Sequence, residues 1–406
     1  MKLRITNARG APTLGITLLL ASLSMISPLS IDTFLPSFPT IASEFGLSNW
    51  EVQQIITAYL LPFACFALVH GPLSDALGRR TIVLCGLGLY TLGSIGCFLA
   101  PTFGTLLACR VLQGLAAGIG PTVSRAVIRD MFEGVNAQKL MSSTTLVFSL
   151  APAIAPVVGG WVHVALGWRW VFGMLVVMGG LLLLVCALML PETHPRSART
   201  RFHPVVLVRS AWRISTQPSF LLLAVSAALA IASLFIYVGS APAIIIDRWH
   251  LKETQFYYIF IPIVAGFMVA SLVSGQIAGR VSRVRQTRIG FGLLSLSGVV
   301  GVATHMLLAQ PPMWAVQLLW FVMASGAQLT YPVLALEMID MYPQARGAAA
   351  SVQAFVALGV GGVVMGMIAP MLHGDLALLS WISLGLGASG WLCWRAGSAL
   401  RSKQPG

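Results

Sequence analysis

The sequence predicts an all-α polytopic membrane protein with twelve transmembrane helices arranged in two six-helix halves. Three observations carry that expectation. Only 9% of the 406 residues are charged and 57% are hydrophobic, against roughly 25% charged in soluble chains, which leaves too little polar surface to coat a soluble particle. The apolar runs last about twenty residues, the length a helix needs to cross a bilayer, and do not show the alternating stretches of about ten that build a membrane barrel. Lys and Arg fall between those runs, overwhelmingly on one side of the implied topology. Forty Gly and 22 Pro agree with packed membrane helices, because Gly lets them approach closely and neighbours re-satisfy backbone that Pro frees.

In chain order, a tail over 1–12 carries Lys2, Arg4 and Arg9. A hydropathy window then places spans at about 13–38, 51–70, 81–100, 104–125, 139–163 and 169–190. Span one is not read as a signal peptide, since its apolar character continues through Ile31, Phe34, Leu35 and Phe38, beyond the length of a signal core. The longest polar stretch, 191–218, contains PETHPRSARTRFH and reads as a cytoplasmic central loop dividing an N-terminal half (13–190) from a C-terminal half (219–396). The second half holds spans at about 219–240, 255–277, 289–310, 313–335, 347–371 and 378–396, and a tail over 397–406 closes the chain.

With both ends inside, 21 of the 25 Lys and Arg residues fall on inner segments; Arg169, Arg248 and Lys252 fall outside and Arg110 within a span. The net charge of +13 thus reads as orientation, with no nucleic-acid partner implied. All six cysteines lie within apolar runs without a CxxC pair, which indicates packing and neither disulfides nor a metal site. Two echoes point to duplication: Gly71 and Gly275 stand 204 residues apart after spans two and eight, and Asp130-Met131-Phe132 and Asp340-Met341-Tyr342 stand 210 apart after spans four and ten.

The most specific motif is Gly71-Pro-Leu-Ser-Asp75-Ala-Leu-Gly78-Arg79-Arg80. Its glycines permit a tight turn, and Asp75 can meet an Arg or a helix N-terminus, so Gly71, Asp75, Gly78, Arg79 and Arg80 are read as a conformational latch. The second copy is degraded, with Gly279 in place of the acid. In span one, Pro28, Asp32 and Pro36 recur every four residues and are expected on one helix face as a polar stripe. In span four, Arg110 and Gln113 share a face, and Gly114 and Gly118 form a small-residue seam. Asp32 and Arg110 each lie seven residues inside the expected outer ends, about 10 Å deep, so they are expected to face each other across one cavity. A purely structural ion pair is the alternative. Span five carries Ala151, Pro152, Pro156, Gly159 and Gly160, which bend and thin that helix so that a neighbour can seal the outer half. Gln54, Tyr59, Gln113, Tyr237, Tyr257, Gln328 and Gln353 suit a wide, mostly apolar substrate cavity with few polar anchors.

The turn motif resembles the loop signature of the major facilitator superfamily, and the span-five run is similar to the antiporter motif of its exporters, with Ala155 in place of the usual Gly. Together with Ile31-Asp32-Thr33-Phe34-Leu35-Pro36, Arg110 and Arg129-Asp130, these residues resemble the bicyclomycin and chloramphenicol resistance exporters over most of the first half. In the second half Ser240-Ala241-Pro242, Tyr257-Tyr258 and the turn from Pro343 to Ala348 fit, whereas Pro262 stands where a polar residue is expected. The resemblance implies the major facilitator fold and proton-coupled efflux of hydrophobic small molecules or antibiotics across a bacterial inner membrane, both termini cytoplasmic. It implies Asp32 and Arg110 as the proton-coupling residues. It implies no cofactor beyond the proton gradient, and as partners a drug, protons and the lipid bilayer, for a monomer. Import or export of a metabolite is the alternative, because a fold fixes neither substrate nor direction; the span-five run argues against import. Without HExxH, GxSxG, a P-loop or a sizeable soluble domain, no enzyme is expected.

The charge asymmetry generates a topology prediction. Reporters fused at Thr200 and Gly406 are expected to be active only when the reporter requires the cytoplasm; an externally active fusion at either position overturns the orientation.

Overall fold

The computed structural model describes residues 13–199, 202–308 and 310–402. The 1–12 tail, Thr200 and Arg201 of the central loop and the end of the 397–406 tail, Gly406 included, lie outside the described residues. Among the described residues twelve helices are long and apolar enough to cross a membrane, and no strand is present. The first half comprises Leu14–Phe45, Asn49–Leu77, Arg79–Phe98, Phe103–Met131, Asn136–Leu166 and Trp168–Met189 as spans one to six. The second comprises Pro218–Gly239, Tyr257–Ile277, Arg283–Leu307, Met313–Asp340, Arg346–Leu372 and Leu376–Arg401 as spans seven to twelve. Successive spans alternate in direction, so the start of span one, the central loop and the end of span twelve share one side, called the loop side; the opposite is the far side.

The helices outrun the hydropathy limits because local hydrogen bonding carries them on. A capping box of Ser48 and Glu51 starts span two, and the helix runs through Gly71 and Pro72 to Leu77, with the Ser74 hydroxyl donating to the Gly71 carbonyl at 2.9 Å. Gly71 therefore sits inside a helix and opens no turn, contrary to the expectation. Gly78 alone makes the reversal, at φ +98°, where a side chain would also meet Glu192 and Arg199.

Span one departs further. Its α-helix stops at Asp32, a 3₁₀ turn covers Leu35–Ser37, and a second α-helix covers Phe38–Phe45. Pro36 and Pro39 explain the interruption, since neither has an N–H to give the helix. The polar stripe of Pro28, Asp32 and Pro36 does not exist, because the helical periodicity that defines it ends at Asp32. The span also continues seven residues beyond the expected limit near Phe38, to Phe45, which places Asp32 close to mid-span.

The two halves repeat one another in detail. At the loop side Arg79 Nε meets Asp130 at 3.1 Å in the first half, and Arg283 meets Asp340 at 2.6 Å in the second. These pairs join the start of spans three and nine to the end of spans four and ten, at the 204- and 210-residue offsets read from the sequence. The central stretch is more than a linker: it folds a helix over Pro204–Ser215 that packs on span eleven and the start of span seven, burying Ile214 and leaving Val205, Val208 and Trp212 exposed.

The halves close on one another at the far side. Gln53 Nε2 donates to the Gly239 carbonyl at 2.7 Å and Gln54 Nε2 to the Gly366 carbonyl at 3.1 Å. Gly366 lies directly against Thr57, and Gly160 lies against the Glu253 carbonyl and the Thr254 backbone of the segment before span eight. The six ion pairs among the described residues, by contrast, each stay within one half or the central loop. The bundle is therefore sealed at the far side, and no ion pair among the described residues ties the halves together at the loop side.

Replacing Gly160 by Val forces a side chain into the Glu253 backbone, which cannot give way as a flexible side chain does. The variant is expected to shift the protein toward the state open at the far side, raising thiol labelling of a cysteine placed at Gln54 several-fold; unchanged labelling means that the Gly160 contact does not hold the seal.

Candidate functional site

The polar interior of the first half is assembled from spans one to four and six. Arg110, fully buried, projects from span four between aromatic rings. Its guanidinium stands 4.4 Å from the centroids of both Phe34 and Tyr59 and 5.9 Å from that of Phe172. It donates through Nη1 to Gln113 Oε1 at 2.8 Å and through Nε to the Ile55 carbonyl at 3.3 Å. Gln113 passes the network on, donating to Ser94 at 2.7 Å. Nη2 has no acceptor among the described residues; ring faces and carbonyl dipoles surround the charge. Each desolvated cation–π contact contributes about 2 kcal/mol, so two of them offset a large part of what a buried cation without a carboxylate otherwise costs.

Asp32 is also buried, and among the buried described residues it is the sole acid. It forms no ion pair or hydrogen bond with a described residue. The expected pairing with Arg110 is thus corrected. Phe34, on the turn beyond Asp32, covers the guanidinium at 4.4 Å, so a ring face stands where a carboxylate was expected. The carbonyl of Thr33, one residue past Asp32, abuts Gly159 of span five. Ala151 and Ala155, one turn apart, are fully buried, and Pro152 and Pro156 lie within one continuous helix, Gly134–Leu166. The span-five run therefore backs the turn that carries Asp32 through Gly159 and touches the other half through Gly160.

The residues expected to line a cavity are dispersed. Gln54 belongs to the far-side seal. Tyr59 and Gln113 are enclosed around Arg110, and Tyr237 is buried within the second half, its hydroxyl 3.1 Å from Ser380 and its ring edge-on to Trp320. These four are corrected from cavity to packing: each polar tip is satisfied by its own helix bundle or by the seal. Tyr257 is partly exposed and stacks with Tyr258 at 4.5 Å. Gln328, partly exposed, donates to Ser271 at 2.9 Å. Gln353 approaches the Tyr331 hydroxyl of span ten.

The turn motif forms a compact cluster at the loop side. Arg79 pairs with Asp75 one turn earlier, donates to Ser74 at 2.6 Å and to Asp130 at 3.1 Å, and its backbone N–H donates to Glu192 at 2.9 Å. Thr193 donates to Asp130 at 3.0 Å, Arg199 meets Glu192 at 3.3 Å, and Arg80 reaches the Ala187 carbonyl at 2.6 Å. The cluster joins spans two, three and four to the beginning of the central loop. Glu192, Thr193 and Arg199 were missed in the sequence because they lie more than a hundred residues away, in a polar stretch without a pattern. Arg125 was counted there as an inner-segment cation, yet span four remains helical to Met131 and carries it within the bundle.

Arg110→Lys replaces a planar group that lies between two rings by a compact ammonium that cannot. It is expected to lower stability by about 2 kcal/mol, read as a fall in the melting temperature of the purified protein; an unchanged melting temperature removes the aromatic cage from the energetics.

Comparison with known proteins places this architecture. Residues 20–370 match the Major Facilitator Superfamily. The chain is 34% identical over 277 residues to an uncharacterised transporter of that superfamily, YdgK of Bacillus subtilis, covering 68% of each chain. It is 28% identical over 355 residues to a bicyclomycin resistance protein homolog of Haemophilus influenzae, covering 87% of this chain and 88% of that one. Among solved structures, the human organic anion transporter MFSD10 superposes with a TM-score of 0.68 at 16% identity, over 93% of this chain and 98% of the other, a likeness of fold. The expected fold and relationship both hold: this multi-pass membrane protein belongs to the Major Facilitator Superfamily.

Proposed function

We propose that the protein exports hydrophobic small molecules or antibiotics across the bacterial inner membrane in exchange for protons, by alternating access, as a monomer without a cofactor. The single observation that carries this reading is Asp32: the lone buried acid among the described residues, without a partner among them, at a break in span one, backed by the helix that closes the far side. An acid within a span is costly and usually functional. The similarity to a bicyclomycin resistance protein homolog supports a drug as cargo.

The excess of Lys and Arg supports placing the loop side in the cytoplasm, and on that reading the state described is closed to the outside. In the other state Gly160 parts from the Glu253 backbone, and water then reaches the turn whose Thr33 carbonyl rests on Gly159. A carboxyl whose surroundings alternate between dry and wet binds and releases a proton as they alternate, and the same rocking exposes the cargo site to each side in turn. The turn cluster around Arg79 acts as the latch, released or made as the central loop shifts.

Asp32→Asn keeps size and polarity but cannot carry a proton. In proteoliposomes it is expected to reduce export driven by a pH gradient at least tenfold while equilibrium binding of an uncharged drug is kept. Full gradient-driven export by this variant removes Asp32 from the coupling, and loss of binding as well assigns it to the cargo site.

A further inference from the structure

Arg125 stands apart from the other cations of the first half. It lies on the last helical segment of span four, Ile119–Met131, six residues or about 9 Å from the loop-side end. Its neighbours Val123, Ser124, Val127 and Ile128 are buried, and the Ser124 hydroxyl donates to the Leu20 carbonyl of span one at 3.1 Å, which fixes the rotation of the helix. Arg125 therefore points away from the packed face. Its side chain is exposed, and a tyrosine of the opposite half lies within electrostatic range of it. An exposed side chain that also faces the opposite half lines the cleft between the halves, and with the far side sealed that cleft opens on the loop side.

Across the cleft stands the other half. The Tyr331 hydroxyl of span ten lies within electrostatic range of the guanidinium, and Gln353 of span eleven approaches the same hydroxyl. Arg125 makes no hydrogen bond or ion pair with a described residue; the charged group nearest to it is Arg129, of like sign. Of the acids at this end, Asp75 and Asp130 are engaged by Arg79, Glu192 by Arg199, Asp340 by Arg283 and Glu337 by Arg401, while Glu133, exposed beyond the end of the helix, forms no ion pair with Arg125. A structural arginine at such depth is ordinarily paired, as Arg110 is caged. This one presents an unused planar fork to a cavity shared by both halves, beside a hydroxyl and an amide that also donate hydrogen bonds.

We propose that Arg125, with Tyr331 and Gln353, forms an anion-accepting subsite of the cargo cavity, so that the protein favours lipophilic molecules bearing a carboxylate or a comparable anionic group over lipophilic cations. The proposal rests on the reading of the chain as an exporter of small molecules and adds the charge class of its cargo. A guanidinium meets a carboxylate in two-point contact, and low-dielectric walls strengthen the attraction and the matching repulsion of cations.

The test is equilibrium binding to the purified full-length protein, without a gradient, of three probes: chloramphenicol, its carboxylate-bearing succinate ester, and tetraphenylphosphonium. The wild-type protein is expected to bind the ester at least as tightly as chloramphenicol, with tetraphenylphosphonium weakest. Arg125→Gln is expected to weaken the ester roughly 10-fold or more, the effect of losing one charge-assisted hydrogen bond, to leave chloramphenicol within about twofold and to tighten tetraphenylphosphonium. Arg125→Lys keeps the charge and loses the fork, and falls between. Equal losses for ester and parent overturn the subsite, as does a wild-type preference for tetraphenylphosphonium, which needs no variant. Binding of none of the three probes by the wild type sinks the exporter reading along with the subsite.

Discussion

The contact on which the rest of this structure depends is backbone on backbone. At Gly159 and Gly160 span five has no side chain, and two carbonyls occupy the space: Thr33 of span one and Glu253 of the opposite half. Neither can be displaced by a rotamer change, so the position of span five, the turn after Asp32 and the far-side seal are fixed together. Interfaces of this kind are bistable, because packed elements either seat or separate. The two prolines one and two turns earlier let span five bend toward both partners without breaking its helix. A rigid link thus runs from a buried acid to the joint between the halves, which is the connection that coupling a proton to a conformational change requires.

Most of the fold was legible in the sequence because the signals that set it act over whole spans. A twenty-residue apolar run is either placed in lipid or is not, and the excess of Lys and Arg on the segments of one side distinguishes the two faces of the bundle. The repeat was legible from two short echoes, and the structure gives both a physical basis: Arg79–Asp130 and Arg283–Asp340 brace equivalent helix ends. The site was less legible. Its expected geometry assumed one continuous helix through Pro28, Asp32 and Pro36, whereas the break at Asp32 ends their common face. That Asp32 and Arg110 face each other is read from residue counts along spans one and four, which carry no information on side-chain direction. A sequence states that both residues are charged and inside; it does not state that Phe34 and Tyr59 fold over the cation and take the place of a carboxylate.

The cavity residues show a second limit. Tyr59, Gln113 and Tyr237 have polar tips in apolar spans, which reads equally as a binding site or as a satisfied core. The structure assigns them to the core, since each finds a partner within its own half. Arg125, exposed and facing the other half, is hidden among topology charges because the hydropathy window ends span four six residues before its helix ends. Continuation of a helix beyond its apolar run leaves no trace in hydropathy.

The two halves divide their chemistry unequally, and the degraded second motif is the visible sign. The first half holds the buried acid, the caged arginine and the Arg79 cluster that grips the central loop through Glu192. The equivalent of Asp75 is Gly279, at φ +76°, so Arg283 braces Asp340 with no acid one turn before it and no central loop to grip. The second half is instead packed by hydroxyls that bond backbone or one another, such as Ser297 to Leu319, Ser383 to Ser233 and Tyr237 to Ser380, and its span seven is among the most buried helices. A half whose buried polar groups are all uncharged among the described residues offers a fixed wall against which a half with buried charges can rock. In such an arrangement the energy differences between states arise in one half, where charges gain or lose water, while the other half supplies the surface that makes those differences a change of access.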